Sequence, residues 1–74
     1  ISLDARGQKT PKPLVELRKK LRKMQQGEIV QIIGDHEISK KEIPLAMQES
    51  GDEVLIVEDI PDFPDGWRIV VKKG

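Results

Sequence analysis

Between residues 14 and 24 the apolar residues Leu14, Leu17, Leu21 and Met24 recur at spacings of three and four, and Val15 widens the stripe. Arg18, Lys19, Lys20, Arg22 and Lys23 fill the positions between them. This is the period of an amphipathic helix with one apolar face. Its start is marked by Thr10-Pro11-Lys12-Pro13. A threonine hydroxyl can cap the first turn, and a proline fits the first helical position, where its missing N–H costs nothing. The cations crowd the C-terminal half, where the helix dipole favours them. Glu16 and Lys20 make an i,i+4 pair, and Gly27 ends the helix after Gln25 and Gln26.

Elsewhere the pattern alternates between short strands and one further helix. Ser2–Ala5 reads as a short strand, and Gly7 breaks the chain after it. Glu28–Ile33 holds four aliphatic residues in six, which predicts a central strand buried on both faces. Gly34-Asp35-His36-Glu37 is a loop. Ser39-Lys40-Lys41-Glu42 matches a capping box and opens a second helix to about Ser50, with Ile43, Ala46 and Met47 turned inward. Pro44 either bends its first turn or moves its regular start to Ile43. Gly51 stops it. Val54–Glu58 is a third strand, and Pro61–Gly66 is a turn-rich loop containing Phe63. Trp67–Lys72 is a fourth strand in which Trp67, Ile69 and Val71 alternate with Arg68, Val70 and Lys72.

The order β-α-β-α-β-β predicts an α/β domain of the α+β two-layer sandwich kind. Two helices cover one face of a four-stranded mixed sheet. The first two strands pair in parallel through a right-handed crossover, and the last two form an antiparallel hairpin. With no repeat, linker or low-complexity segment, residues 1–74 read as one domain.

Composition narrows the chemistry. A single core below roughly 70–80 residues seldom supplies more than about 3–5 kcal/mol. The 74 residues include no cysteine and one histidine, so disulfides and a Cys/His zinc site are excluded. No metal or cofactor is expected. No run approaches the roughly 20 apolar residues of a membrane span. Ile1-Ser2-Leu3-Asp4 lacks the basic and apolar regions of a signal peptide. A soluble, cytoplasmic protein with no membrane contact is expected.

The formal charge is zero but uneven. Residues 1–27 carry eight Lys/Arg against two acids, and residues 28–71 carry three against eleven. A basic first third fits an acidic or phosphate-bearing partner surface. Lys9, Lys12, Arg18, Lys19, Arg22 and Lys23 are the candidate contact residues. The plainer alternative is a solvated helix face.

The segment from Leu3 to Leu14 carries the most specific signal: Asp4, Arg6 and Gly7, then Thr10, Pro11, Lys12 and Pro13. It resembles the TusA/SirA sulfur-carrier family, which opens with a short strand, an Asp, a Gly and then Cys-Pro-x-Pro at the first helix. The resemblance continues through Met24-Gln25-Gln26-Gly27-Glu28, Ile43-Pro44 and the closing Trp67–Lys72 strand. In that family the cysteine takes sulfur as a persulfide from a cysteine desulfurase and passes it on, for instance toward tRNA thiolation. A helix N-terminus favours the thiolate there. Here Thr10 occupies the cysteine position. A hydroxyl cannot hold a persulfide, so the resemblance implies the fold without the carrier reaction. The partner it implies is a cysteine desulfurase or another sulfur-relay protein.

Other roles for these residues are weaker. A nucleophilic Thr10 needs an adjacent base, and nothing in the sequence brings His36 near, so Thr10 reads as a helix cap. Lys9 and Lys12 flank a helix start that could take an anion, but Pro11 and Pro13 remove two N–H donors. Asp4 and Arg6 read as a local ion pair or turn hydrogen bonds, and Asp35-His36-Glu37 as a solvated turn rather than a metal site. Trp67 reads as a core residue, since nucleic-acid platforms offer several aromatics.

The leading reading is therefore a sulfur-carrier-family protein inactive as a carrier in this form. An alternative is a non-catalytic paralogue that docks through its basic first helix. A third is an RNA-binding module, because the family's fold is similar to that of a ribosome-binding initiation-factor domain. The acidic remainder of the chain opposes that third reading.

Overall fold

The computed structural model describes residues 1–74, with β1 at Ser2–Ala5, α1 at Lys12–Arg22, β2 at Ile29–Gly34, α2 at Glu37–Glu49, β3 at Glu53–Asp59 and β4 at Trp67–Lys72. The strands form one sheet in the order β1-β2-β4-β3. β1 runs parallel to β2, while β4 is antiparallel to both β2 and β3. This is the expected two-layer α+β architecture.

Strand alternation decides which face is covered. Val30 faces Val71, Ile32 faces Ile69, and Gly34 faces Trp67 across β2 and β4, and all six are buried. Leu17 and Leu21 from α1 and Ile43 and Met47 from α2 complete the same core. Each such aliphatic side chain contributes about 1.5–3 kcal/mol when fully buried. The opposite face is open, with Ile29 exposed and Gln31, Arg68 and Val70 half-buried. A polar chain crosses that face. Gln31 Nε2 donates to Ser2 Oγ at 3.1 Å, Arg68 Nη1 donates to Gln31 Oε1 at 3.2 Å, and Arg68 Nε lies 2.8 Å from Glu58 Oε1. β2 is thus central in the sheet but buried on one face only, because both helices lie on the same side.

The elements start and stop differently from the sequence expectation in several places. α1 begins at Lys12 with Pro11 at its N-cap and no side-chain cap. It ends at Arg22 rather than running to Gln26. A tighter turn follows, with Lys23 N–H donating to Lys20 O and Met24 N–H to Leu21 O. Leu14, Leu17, Leu21 and Met24 are buried as the stripe predicts, but Val15 is 42% exposed and lies outside it. Glu16 pairs with Lys19, at 3.9 Å, rather than with Lys20.

α2 begins at Glu37, two residues before the Ser-x-x-Glu pattern, so that pattern does not cap it. Ile43, Ala46 and Met47 are buried as expected. Pro44 stands well inside α2 and neither moves its start nor ends it. Gly51, at φ +84°, takes the left-handed turn that closes the helix. β3 runs one residue further at each end than expected and carries a register shift between Val54 and Ile56.

Candidate functional site

β1 ends on the buried Ala5, and the chain turns at Gly7, where φ is +78°. A left-handed backbone favours glycine there. Before the turn, Arg6 folds back on Asp4. Its Nε and Nη2 donate to the two carboxylate oxygens at 2.9 and 2.8 Å, and its backbone N–H donates at 3.1 Å. These bonds, the side-chain pair first, hold the Asp4 carboxyl down at about 2. The same bonds raise the Arg6 guanidinium above its usual range. The guanidinium also lies 5.6 Å from the centre of the Phe63 ring, within cation–π range.

From the turn onward, the loop is clasped at three points by α2 and the loop leading into it. Gly7 N–H lies between the two Asp35 carboxylate oxygens, at 3.0 and 3.1 Å. Thr10 N–H donates to His36 Nδ1 at 3.3 Å, and the Thr10 hydroxyl donates to Glu42 Oε1 at 2.7 Å. A backbone N–H can only donate, so His36 Nδ1 is the unprotonated ring nitrogen and Nε2 carries the proton. The buried Ser39 hydroxyl lies 3.2 Å from the same Nδ1. The His36 carbonyl in turn accepts from Trp67 Nε1 at 3.0 Å.

This arrangement corrects three sequence readings. Thr10 does not cap α1. Pro11 and Pro13 remove N–H groups from the first turn, and Lys12 N–H already donates to Lys9 O at 3.0 Å. The hydroxyl therefore finds no free N–H two or three residues on, where a cap would bind, and turns to a carboxylate. His36 is close to Thr10 after all, but it meets the backbone N–H rather than the hydroxyl. Asp35 and His36 are half-buried clamps, not a solvated turn. The spent and missing N–H groups also leave little at this helix start for an anion to bind.

Thr10 is half-buried and lines none of the molecule's cavities. A threonine beside a carboxylate, with neither a cavity nor a third orienting group, does not make a nucleophilic centre. No group of three or more histidine, aspartate or glutamate side chains is arranged to hold a metal ion. No helix is long and apolar enough to cross a membrane.

The structure brings Gly7 and Thr10 together with Asp35, His36 and Glu42, while Asp4 and Arg6 pair with each other one turn earlier. Lys9, Lys12, Arg18, Lys19, Arg22 and Lys23 are all exposed. Among these cations only Lys19 has an ion-pair partner. At the far end of α1, a cavity of about 200 Å³ is lined by Arg18, Arg22, Lys73 and Ser50, with Asp52 and Leu21 completing it. Asp35, His36 and Glu42 carry no local mark of their role, because their partners lie 26 to 32 residues away in the chain.

Comparison with known proteins agrees over the full length. A family model described as Sulfurtransferase TusA matches residues 1–73. A candidate sulfur carrier protein of Archaeoglobus fulgidus is 40% identical over 73 residues, covering 99% of this chain and 96% of its own. A candidate sulfur carrier protein of Thermotoga maritima is 38% identical over 71 residues, covering 96% of this chain and 87% of its own. The crystal structure of a SirA-like protein from Desulfitobacterium hafniense superposes with a TM-score of 0.86 at 20% identity. That match covers 99% of this chain and 96% of the other, and it shows the shared fold.

Proposed function

The chain belongs to the TusA sulfurtransferase family, and from that premise we propose that it is a sulfur-carrier-fold protein that carries no persulfide itself and works by contact with a protein of sulfur relay. One observation carries this reading. The hydroxyl of Thr10, the residue that the motif resemblance sets at the family's cysteine position, is committed to Glu42 at 2.7 Å. No other residue can take over, since the 74 residues contain no cysteine.

A contact role draws support from the exposed cations of α1. Arg18, Arg22 and Lys23 are exposed and form no internal ion pair, so they are free to meet an acidic partner surface. Such charges chiefly set the rate of encounter and the choice of partner. On this reading, which rests on the family resemblance of the motif, the partner is a cysteine desulfurase or another sulfur-relay protein.

The test is capture by an immobilised cysteine desulfurase supplied with sulfur-labelled cysteine. The chain is expected to be retained in a salt-dependent way without acquiring label. Replacing Arg18, Lys19, Arg22 and Lys23 by glutamate is expected to abolish retention. Label on the unsubstituted chain, or equal retention of the charge-reversed variant, would defeat this reading.

A further inference from the structure

We propose that Glu42 commits position 10 to a neutral hydrogen donor, so that a thiol placed there would be held in its protonated form. The inference rests on the reading that Thr10 occupies the family's carrier position. It adds that the substitution at residue 10 is not the only barrier to sulfur chemistry in this chain.

The geometry is direct. The Thr10 hydroxyl reaches Glu42 Oε1 at 2.7 Å, and both residues are half-buried. A cysteine at position 10 would carry its sulfur on the same Cβ, beside the same carboxylate. A like charge at such range disfavours the ionised form of a thiol. A carboxylate that accepts a proton-bearing donor favours S–H over S⁻ for the same reason.

The other groups around Thr10 do not offset this. From the loop before α2, His36 accepts the Thr10 N–H through Nδ1, so that ring nitrogen presents no N–H to position 10. Asp35, on the same loop, is a second anion, bound to Gly7 N–H. Ser39, the α2 residue facing His36, is uncharged. Lys9 and Lys12 flank Thr10 in the chain, but both are exposed and neither forms an ion pair here. Solvent and salt screen charges so placed. The start of α1 favours a thiolate in principle, yet Pro11 and Pro13 offer no N–H and Lys12 N–H is already spent on Lys9 O. Glu42 is therefore a positioning residue whose charge decides the protonation state at position 10.

The decisive experiment compares the full-length variants Thr10→Cys and Thr10→Cys/Glu42→Gln. Thiolate is followed by its ultraviolet absorbance across pH and by the rate of alkylation with iodoacetamide. Neutralising Glu42 is expected to raise the thiolate fraction at pH 7 at least ten-fold, a thiol pKa lower by about one unit or more. A smaller change overturns the proposal. A second measurement uses the unsubstituted protein and does not depend on how the variants fold. The Thr10 methyl resonance is expected to shift with pH in step with the Glu42 carboxyl resonance, and a Thr10 signal that ignores that titration also overturns it. Neither readout involves sulfur loading or partner capture. Failure here therefore removes the role of Glu42, whereas failure of the desulfurase experiment removes the contact reading.

Discussion

The indole of Trp67 fills the space that any side chain at Gly34 would need. A Cβ built there would lie 2.5 Å from Cζ2 and 2.6 Å from Cη2 of the ring. The two residues face each other across β2 and β4, and the indole donates to the His36 carbonyl. Glycine at 34 thus lets the ring reach the loop that carries Asp35 and His36. Gly34→Ala forces a buried ring to move and is expected to cost about 1–3 kcal/mol, as overpacking does. Urea denaturation measures this, and an unchanged midpoint would contradict it.

The bond between Thr10 and Glu42 separates hydroxyl from shape. Thr10→Val keeps the volume and removes the donor, leaving a half-buried carboxylate without its partner. The expected loss is about 1–3 kcal/mol. Thr10→Ser keeps the donor and should lie within about 0.5 kcal/mol of the unsubstituted chain, the scale of an uneventful substitution. Equal stability of the valine and serine variants, by thermal or urea unfolding, would show that the hydroxyl contributes nothing.

His36 Nδ1 accepts from the Thr10 N–H and lies beside the Ser39 hydroxyl. His36→Ala leaves the Thr10 N–H without its acceptor and the fully buried Ser39 hydroxyl without its ring partner. A buried polar group left unpaired costs about 1–3 kcal/mol. The variant should therefore be destabilised, and amide exchange at Thr10 should quicken by more than at residues of β4. Uniform acceleration across the chain would mean that His36 acts on the whole fold and not on this loop.

The pairing of Asp4 with Arg6 sets an acid-limb behaviour. The Asp4 carboxyl titrates at about 2 in the folded protein against 3.8 unpaired. Its contribution to stability is thus fully present above 3.8 and disappears as pH falls toward 2. Both groups are exposed, so the effect on overall stability is expected to be small. Carboxyl-detected NMR titration should find Asp4 near 2, and Arg6→Gln should return it to the ordinary range. An Asp4 that titrates normally with Arg6 intact would refute the pairing in solution.

Much of the fold was legible because two periodicities are strong. The spacing of Leu14, Leu17, Leu21 and Met24 located α1, and the alternation of Trp67, Ile69 and Val71 located β4 to the residue. The family motif placed Thr10 at the entrance to α1. The start of α2 was misread for a physical reason. Ser39 and Glu42 have the spacing of a capping box, but their side chains bond His36 and Thr10 instead of each other's backbone. The apolar content of β2 could not show that both helices lie on one side of it. The clasp around Thr10 was invisible because each of its bonds is made by the tertiary structure.

The clasp has no local existence. Its bonds bridge sequence separations of 28, 26 and 32 residues, and contacts of such range can close only after the intervening chain has been ordered. A fragment ending after α1 would keep the whole recognisable motif and lose the site. The chemical character of residue 10 is a property of the assembled protein, conferred by a helix that comes later in the chain.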